Sequence, residues 1–419
     1  MRQLRTVLQV IVVATLLAGC GGSKASPTVA PISQNSSTIG STATTTTGTA
    51  SPSASTPASS QATPPVASPA GSTVATTPGA GSKFAYGFNV YARADADGQP
   101  YNQKVIDAVK GAGFGWVRLP IQWSGMERAK GQWDPLPVDR LVKQFNGSGI
   151  KILMTVSSAP DWARNTNGNS LLVNYSDYQD VMKFLAGRYK GKVQAWEVWN
   201  EENLASEMGG TVRVDDYARL LQAGYQGVKA GDPNALVVFG GLTPTGVNDP
   251  KVAMDDQQYL DTFYNYQGGF YTKFFDVLGV HTNATNHPPD QMYPDNPGTG
   301  AWSNSGSFYF RRAEQLRQVM QAHGDARPIW ITEFGWTTAN QAKGYEYGQD
   351  VSAQQQAQYL VDAFAWAHDH WPWATGMFVW NLNYSTVTQP NDEKYPWSVL
   401  NNDWSPRPSF DALKTMPKP

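Results

Sequence analysis

The sequence predicts an α/β protein built on a single (β/α)8 TIM barrel, preceded by a signal peptide and a disordered linker. The distribution of aromatic residues shows which part of the chain is expected to form the barrel. All 15 Trp, 19 Tyr and 16 Phe residues of the 419-residue chain lie after residue 82, so only the later part can bury a large core. There, short apolar segments alternate with amphipathic helical stretches. A helix between most neighbouring strands predicts a parallel sheet, and eight is the number of strands that closes such a sheet into a barrel.

The order of these segments also separates the barrel from its main competitor. The predicted strands cover residues 85–90, 116–119, 151–156, 195–199, 236–240, 277–281, 329–332 and 377–380, and the clearest helices cover 177–189, 214–229, 311–323 and 353–368. A doubly wound open sheet is the competing fold, but its glycine fingerprint for dinucleotides follows a strand. The glycine-rich segment 111–115 precedes one instead, which favours a plain turn from helix to strand.

The first 20 residues have the organisation of a lipoprotein signal peptide. Arg2 and Arg5 precede an apolar run over residues 7–18, and the run ends in Leu-Ala-Gly-Cys at Cys20. A basic start, a short apolar stretch and small residues are typical of a secretory signal, and the run is too short to span a bilayer. The ending resembles the bacterial lipobox. We therefore predict that Cys20 is lipidated and that the protein is exported, lipid-anchored to the membrane of the bacterial cell envelope and faces outside the cytoplasm. An ordinary secretory signal that carries a cysteine is the alternative.

Residues 21–82 are predicted to be a disordered linker. Ser, Thr, Ala, Pro and Gly make up 53 of these 62 residues, and Lys24 is the single charged residue. Such a segment has no apolar surface to bury. As a flexible coil it spans about 45 Å, which would hold the domain at residues 83–419 clear of a membrane.

Charge and cysteine content exclude several kinds of partner. The chain has 32 basic and 34 acidic residues, a net charge of −2 and no basic block, which argues against nucleic acid as a partner. One cysteine excludes a disulfide framework and any cysteine-rich metal site. Segment 95–98 is similar to the start of a calcium loop but lacks the distal glutamate. The sequence therefore predicts no metal and no cofactor.

Polar residues stand at or near the ends of three of the predicted strands, on the side of the barrel where active sites lie. The fourth strand runs into Asn200 and Glu201, the seventh ends in Glu333, and the second carries Arg118. An Asn-Glu pair alone is expected about once by chance in a chain of this size. An apolar strand that leads into Asn200-Glu201 and is matched by a second strand ending in Glu333 is far more specific.

This pairing resembles the retaining glycoside hydrolases of clan A. The stretch Trp-Glu-Val-Trp-Asn-Glu-x-Asn at residues 196–203 is most similar to the β-xylosidase/α-L-iduronidase family (glycoside hydrolase family 39) and its bacterial exopolysaccharide-hydrolase relatives, with the cellulase family next. The resemblance covers about residues 84–415. It implies that Glu201 is the general acid/base, that Glu333 is the nucleophile and that 83–419 is a catalytic domain. The substrate-binding residues that it implies are Asn200 at the 2-hydroxyl, Arg118 beside Glu333, and His281 and Trp380 around the sugar.

The chemistry of the residues agrees with this assignment. Retention needs one carboxylic acid to protonate the leaving oxygen and a second carboxylate, about 5–5.5 Å away, to attack the anomeric carbon. Arg118 favours the charged form of Glu333, whereas Glu201 is flanked by apolar and aromatic side chains and is expected to keep its proton near neutral pH. Trp336 and Trp380 follow strand ends, and flat aromatic faces suit pyranose rings.

Structural interpretations of the same residues remain open. Glu197 and Glu202 are rival carboxylates, but Glu197 lies deeper in its strand and is predicted to be a buried structural partner. Arg118 would alternatively form an ordinary ion pair inside the barrel, and His281 alone is as consistent with structure as with a site. Each Trp is as readily a core residue as a sugar platform.

Departures from the clan leave the family and the substrate open. Glu202 stands where proline commonly follows the Asn-Glu pair, and no aromatic residue directly follows His281, so the hydrogen-bond partner of the nucleophile is open between Tyr384 and Tyr293. The sequence predicts a monomeric, surface-anchored retaining β-glycosidase that hydrolyses a polysaccharide or oligosaccharide by double displacement. The alternative is a non-catalytic carbohydrate-binding lipoprotein on the same barrel. Both implied catalytic carboxylates are present, which favours the enzyme.

Overall fold

The computed structural model describes residues 84–168, 170–295 and 305–419. The predicted signal peptide with Cys20 and the predicted linker at 21–82 lie outside the described residues. Within the described ranges, no helix combines the length and the apolar character needed to cross a membrane.

Eight parallel strands form the predicted barrel. They are β1 Ala85–Asn89, β2 Trp116–Gln122, β3 Lys151–Ser157, β4 Ala195–Val198, β5 Leu236–Phe239, β6 Leu278–Asn283, β7 Ile329–Gly335 and β8 Ala374–Val379. Hydrogen bonds join them in the order β5-β4-β3-β2-β1-β8-β7-β6. Parallel bridges from Val238 to Val277 and from Leu242 to Val280 then connect β5 to β6, so the ring is nearly closed. All eight predicted strands are confirmed, with shifts of a few residues at their ends.

Helices surround the strands, as the alternating pattern predicts. They are α1 Gln99–Gly111, α2 Trp123–Met126, α3 Leu136–Gly147, α4 Tyr175–Arg188, α5 Val214–Gly231, α6 Asp256–Asn265, α7 Arg312–Ala322, α8 Ala353–His370 and α9 Pro408–Thr415. Side chains cap several N-termini where backbone N–H groups lack helical partners. Ser352 and Gln355 form a capping box at α8, and Asp255 accepts from the first turn of α6.

Two apolar layers hold the barrel together, one between the strands and the helices and one inside the ring. Inside, Trp116 and Trp330 meet edge to face with their ring centroids 5.2 Å apart, and Phe378 packs beside them. Gly87 makes room for this cluster, because a Cβ there would lie 2.2 Å from the Phe378 ring. The aromatic plug fills the N-terminal half of the barrel and leaves the C-terminal half to polar side chains.

Candidate active site

The end of β4 is bent so that Glu201 faces the barrel mouth. Trp199 and Glu201 both have left-handed backbone conformations, with φ of 71° and 51°. Such conformations cost roughly 1–2 kcal/mol for a residue with a side chain, and they cluster at functional sites. The N–H of Glu201 donates to the carbonyl of Gly241 at 3.1 Å, which ties the turn to the segment after β5.

Glu201 and Glu333 meet across the mouth, with His281 between them. One oxygen of each carboxylate and one His281 nitrogen all lie within 4.8 Å of one another. His281 Nδ1 lies 3.0 Å from Glu201 Oε1, and His281 Nε2 lies 3.7 Å from Glu333 Oε1. An oxygen–oxygen distance of at most 4.8 Å between Glu201 and Glu333 is compatible with the carboxylate pairs of retaining glycosidases, about 5–5.5 Å apart, and is shorter than the roughly 6.5–9.5 Å of inverting ones. Gly241 leaves space for the imidazole, since a Cβ there would lie 2.2 Å from Nε2.

A β-bulge directs Glu333 into the mouth. Along β6 and β7, Val280 pairs with Ile331 and His281 pairs with Glu333, so two residues of β7 oppose one step of β6. Trp330 already points into the barrel, and strict alternation would turn Glu333, three residues later, outward. The extra residue reverses the alternation and brings Glu333 back to the interior.

Arg118 is the central cation of the site. Its guanidinium donates to Glu333 Oε1 at 2.5 Å, to Glu197 Oε2 at 2.6 Å and to Asn200 Oδ1 at 2.7 Å. A fourth bond, 3.0 Å long, goes to Asn89 Oδ1 at the end of β1. Arg118 therefore fits both the site role and the structural role that the sequence allows. It pairs with the candidate nucleophile Glu333, and it also forms a buried ion pair with Glu197 inside the barrel.

Glu197 is the buried structural partner that its depth in β4 predicts. It is fully buried, and Thr155 donates to the same Oε2 atom that accepts from Arg118. Because Glu197 is fully buried beneath the mouth and bonded to Arg118 and Thr155, its place is that of a structural partner.

The pKa shifts of Glu201 and Glu333 run in opposite directions. Burial raises the pKa of Glu333, and the Glu201 charge adds to this, while His281 and Arg118 only partly offset the rise. Burial acts in the same direction on Glu201, but the hydrogen bond and electrostatic interaction with His281, aided by Thr243 and Arg118, outweigh it and lower the Glu201 pKa below its ordinary value. The two pKa directions are thus opposite to those expected for a Glu201 that keeps its proton and a Glu333 that is held ionised.

Two further carboxylates surround Glu201. Glu202, which the sequence offers as an alternative carboxylate to Glu201, is fully buried behind the strand end. Burial raises its pKa well above the ordinary range. Burial also raises the pKa of the partly exposed Glu207 to about 8, and the charge of Glu201 contributes. The sequence reasoning missed Glu207, whose position in a loop carries no strand-end signal.

The predicted aromatic residues divide into two groups. Trp380 is partly exposed, and its ring tilts against Tyr384 with centroids 5.1 Å apart. Tyr384 is buried, which raises its pKa, and the nearby Glu333 charge raises it further. Tyr293 instead packs near Tyr309 in the loop after β6.

The prediction that Trp336 binds substrate is wrong. Trp336 is fully buried, donates its indole N–H to the carbonyl of His287 and packs against Phe310 and Tyr359 in the outer layer. Because Glu333 points inward after the bulge, a residue three positions later points outward.

The structure also adds Asn89, which the sequence reasoning did not single out. Its side-chain oxygen accepts from Arg118, and its amide donates to the carbonyl of Thr332 at 2.9 Å. A polar residue one position before the end of the first predicted strand was the available signal. Glu201, His281 and Glu333 form the one group of His, Cys, Asp and Glu side chains in the described ranges with the spacing of metal ligands. Arg118 already supplies a positive charge to Glu333 there, and the absence of a catalytic metal stays a prediction.

Comparison with known proteins places the chain in a family. The model of the cellulase family, glycosyl hydrolase family 5, matches residues 80–383. The chain belongs to this family. The predicted resemblance to clan A is confirmed, and the matching family is the one that the sequence motif placed second.

Individual relatives share parts of this domain. Endo-1,4-beta-xylanase 3 of Hypocrea jecorina is 32% identical over 141 residues, which are 32% of this chain and 39% of the xylanase. The chain thus matches about two-fifths of the length of that curated relative. A family 39 glycoside hydrolase from Bacteroides cellulosilyticus WH2 superposes with a TM-score of 0.56 at 21% identity, covering 79% of this chain and 63% of its own. Xylanase 10B from Thermotoga petrophila RKU-1, solved with xylobiose, gives 0.51 at 16% identity and coverages of 79% and 93%. At these identities the two structures show a shared fold.

Proposed function

We propose that this protein is a retaining β-glycosidase that hydrolyses O-glycosidic bonds of a polysaccharide or oligosaccharide by double displacement. The observation that carries the proposal is the pair Glu201 and Glu333, whose carboxylate oxygens lie within 4.8 Å on the ends of β4 and β7. Membership of the cellulase family supports the same reaction class.

In the first step, Glu333 attacks the anomeric carbon while Glu201 gives its proton to the leaving oxygen. The glycosidic C–O bond breaks, and a covalent glycosyl-enzyme forms on Glu333. In the second step, Glu201 takes a proton from water as the water attacks the same carbon and releases Glu333. Arg118 stabilises the carboxylate of Glu333 each time that it departs, through the bond to Oε1.

Asn200 and Trp380 have the geometry for substrate contacts. Because Asn200 Oδ1 accepts from Arg118, its amide group is oriented with two N–H donors available for a sugar hydroxyl. This fits the role at the 2-hydroxyl that the family resemblance implies. The partly exposed Trp380 ring offers an apolar face beside the mouth.

The proposed setting is the outside of a bacterial cell. A lipidated Cys20 would fix the protein to the membrane, and residues 21–82 would allow a reach of about 45 Å toward an external or envelope polysaccharide. The xylanase relatives make β-linked polymers the first substrates to screen.

Replacing each glutamate with alanine tests the two roles separately. Glu333→Ala is expected to abolish turnover, since no glycosyl-enzyme can form. Glu201→Ala is expected to keep the first step on an activated aryl glycoside, whose leaving group needs little protonation. Azide should then rescue Glu201→Ala with a β-glycosyl azide and Glu333→Ala with the inverted α product.

The product configuration, read by NMR, decides the assignment. The exposed Glu346→Gln is the matched control and should behave as wild type. Exchanged configurations between the two variants would reverse the roles. Inversion by the wild-type protein would exclude double displacement, and inactivity on a panel of β-glycosides and polysaccharides would favour the non-catalytic alternative.

A further inference from the structure

A pocket of about 440 Å³ opens on the flank of the barrel, between the loop after β2 and helix α4. Three aromatic side chains line it, Trp133, Trp162 and Phe184, and each is partly exposed. Trp133 and Phe184 are stacked with centroids 4.5 Å apart and planes inclined by 19°. Pockets of this size, about 300–1,000 Å³ with aromatic walls and a few polar groups, are typical of small-ligand sites.

The pocket is separate from the barrel mouth. Trp162 packs edge to face on Trp123, Trp123 packs on Tyr178, and Tyr178 packs on Trp199 at the end of β4. Trp123 and Tyr178 are fully buried, so a continuous aromatic layer lies between the pocket and β4. No residue that lines the pocket takes part in the Glu201–Glu333 site.

Its floor is fixed by a buried carboxylate. Glu127 accepts hydrogen bonds from Trp123 Nε1 and from the N–H of Gly131, both at 2.7 Å. The carbonyl of Glu127 accepts from Trp162 Nε1 at 2.9 Å, which sets the orientation of that indole. The aromatic walls are thus held in place before any ligand arrives, and this lowers the ordering cost of binding.

The polar lining suits a neutral, hydroxyl-rich ligand. Lys130 Nζ lies 2.6 Å from Asp177 Oδ1 and 6.0 Å from the Trp162 ring centroid. Asp180 and Lys183 stand exposed on the next turns of α4. Carboxylates accept from hydroxyls and ammonium groups donate to them, while the near balance of charge gives no preference for an ion.

We infer that this flank pocket is a second carbohydrate-binding site, which holds a pyranose unit of the polymeric substrate away from the barrel mouth. The inference rests on the proposed function in one respect, the glycan class of the substrate. A pyranose ring would lay its C–H face against Trp162, while its hydroxyls bond Asp177, Asp180 and Lys130. Linking this weak contact to the mouth on one polymer chain raises the effective concentration of substrate.

Polymer binding and small-substrate hydrolysis separate this site from the catalytic one. Binding is measured by affinity electrophoresis in gels containing β-1,4-xylan, hydroxyethylcellulose or galactomannan, in a Glu333→Ala background that leaves the polymer uncut. Trp162→Ala is expected to weaken binding of the retained polymer roughly tenfold, the equivalent of about 1.4 kcal/mol. Phe270→Ala removes another exposed aromatic ring, far along the chain in the segment after α6, and should leave binding unchanged.

Asp180→Ala keeps the test decisive if Trp162→Ala fails to fold, because Asp180 is exposed and outside the core. It is expected to weaken binding at least about threefold, as the loss of one hydrogen bond would. Retention equal to that of the parent for both variants, or no retention of the parent by any of the polymers, would overturn the inference. Hydrolysis of aryl glycosides by the protein with Glu333 intact is followed in parallel. A lack of aryl glycoside hydrolysis would count against the proposed function, whereas the comparison of polymer retention between the variants tests the pocket.

Discussion

Glu202 provides the sharpest stability test of the structure, because it is a fully buried carboxyl directly after Glu201. Its side chain packs beneath Gly240, where a Cβ would lie 2.3 Å from Oε2. Burial raises its pKa well above the ordinary value, and the charges of Glu197 and Glu201 act in the same direction. Glu202 therefore stays protonated in the folded protein at pH values where it is ionised in the unfolded chain.

The sign and size of the effect follow from linkage. The unfolded chain loses the proton near the ordinary glutamate pKa of about 4.3, while the folded protein keeps it. Above that pH the folded state binds more protons, so the free energy of unfolding falls as the pH rises, by about 1.4 kcal/mol per pH unit until the folded-state pKa is reached. Glu202→Gln has a similar shape and no proton to lose. Its unfolding free energy relative to wild type should therefore rise with pH across that window, at a slope no steeper than the one just given.

Urea unfolding of both proteins at about pH 5, 6 and 7 measures this difference. The exposed Glu346→Gln serves as the control and should track wild type at every pH. A Glu202→Gln difference that is the same at all three pH values would refute the reasoning, since it would mean that Glu202 ionises in the folded protein as readily as in the unfolded chain.

Four other outcomes are expected. His281→Ala should move the acidic limb of the kcat/KM profile on an aryl glycoside to higher pH, because His281 lowers the pKa of both Glu201 and Glu333, and an unmoved limb would contradict this. The basic limb of the wild-type kcat profile should lie at higher pH than that of kcat/KM. The reason is that kcat reports the substrate complex, in which bound sugar is expected to raise the Glu201 pKa. Cys20→Ser should release the protein from the membrane fraction or block its processing, and a processed wild-type protein without an acyl group would oppose the lipobox prediction. Deleting residues 21–82 should leave the melting temperature nearly unchanged, whereas a large drop in calorimetry would place the domain boundary earlier.

The sequence was sufficient to predict the barrel and the two carboxylates that meet at its mouth. Parallel strands bring their C-terminal ends to one edge, so Glu201 and Glu333 had to approach each other once both followed apolar strands. The same rule placed Arg118 and Asn200, which the structure brings into one hydrogen-bonded group.

Backbone irregularities account for what could not be predicted. Strict alternation puts Glu197, Trp199 and Glu201 on one face. Instead, β4 ends at Val198, and Trp199 turns outward to pack on Tyr178. The bulge in β7 similarly turns Glu333 into the barrel and, as a result, Trp336 outward. Neither a left-handed residue nor a bulge has a signature in these side chains, because both are imposed by the neighbouring strands.

Substrate binding resolves the apparent conflict between the pKa directions and the proposed roles. The pKa of Glu333 is raised and that of Glu201 is lowered, yet the proposed first step needs the proton on Glu201. The Glu201 side chain is still 21% exposed, whereas that of Glu333 is 9% exposed and bonded to Arg118. A sugar that fills the mouth removes more water from Glu201 than from Glu333, so the added desolvation raises mainly the Glu201 pKa. In the proposed mechanism the proton would then shift toward Glu201, and Arg118 would stabilise the carboxylate left on Glu333. In the proposed mechanism, binding of the sugar therefore sets the protonation that the first step needs, with the proton on Glu201 and the charge on Glu333.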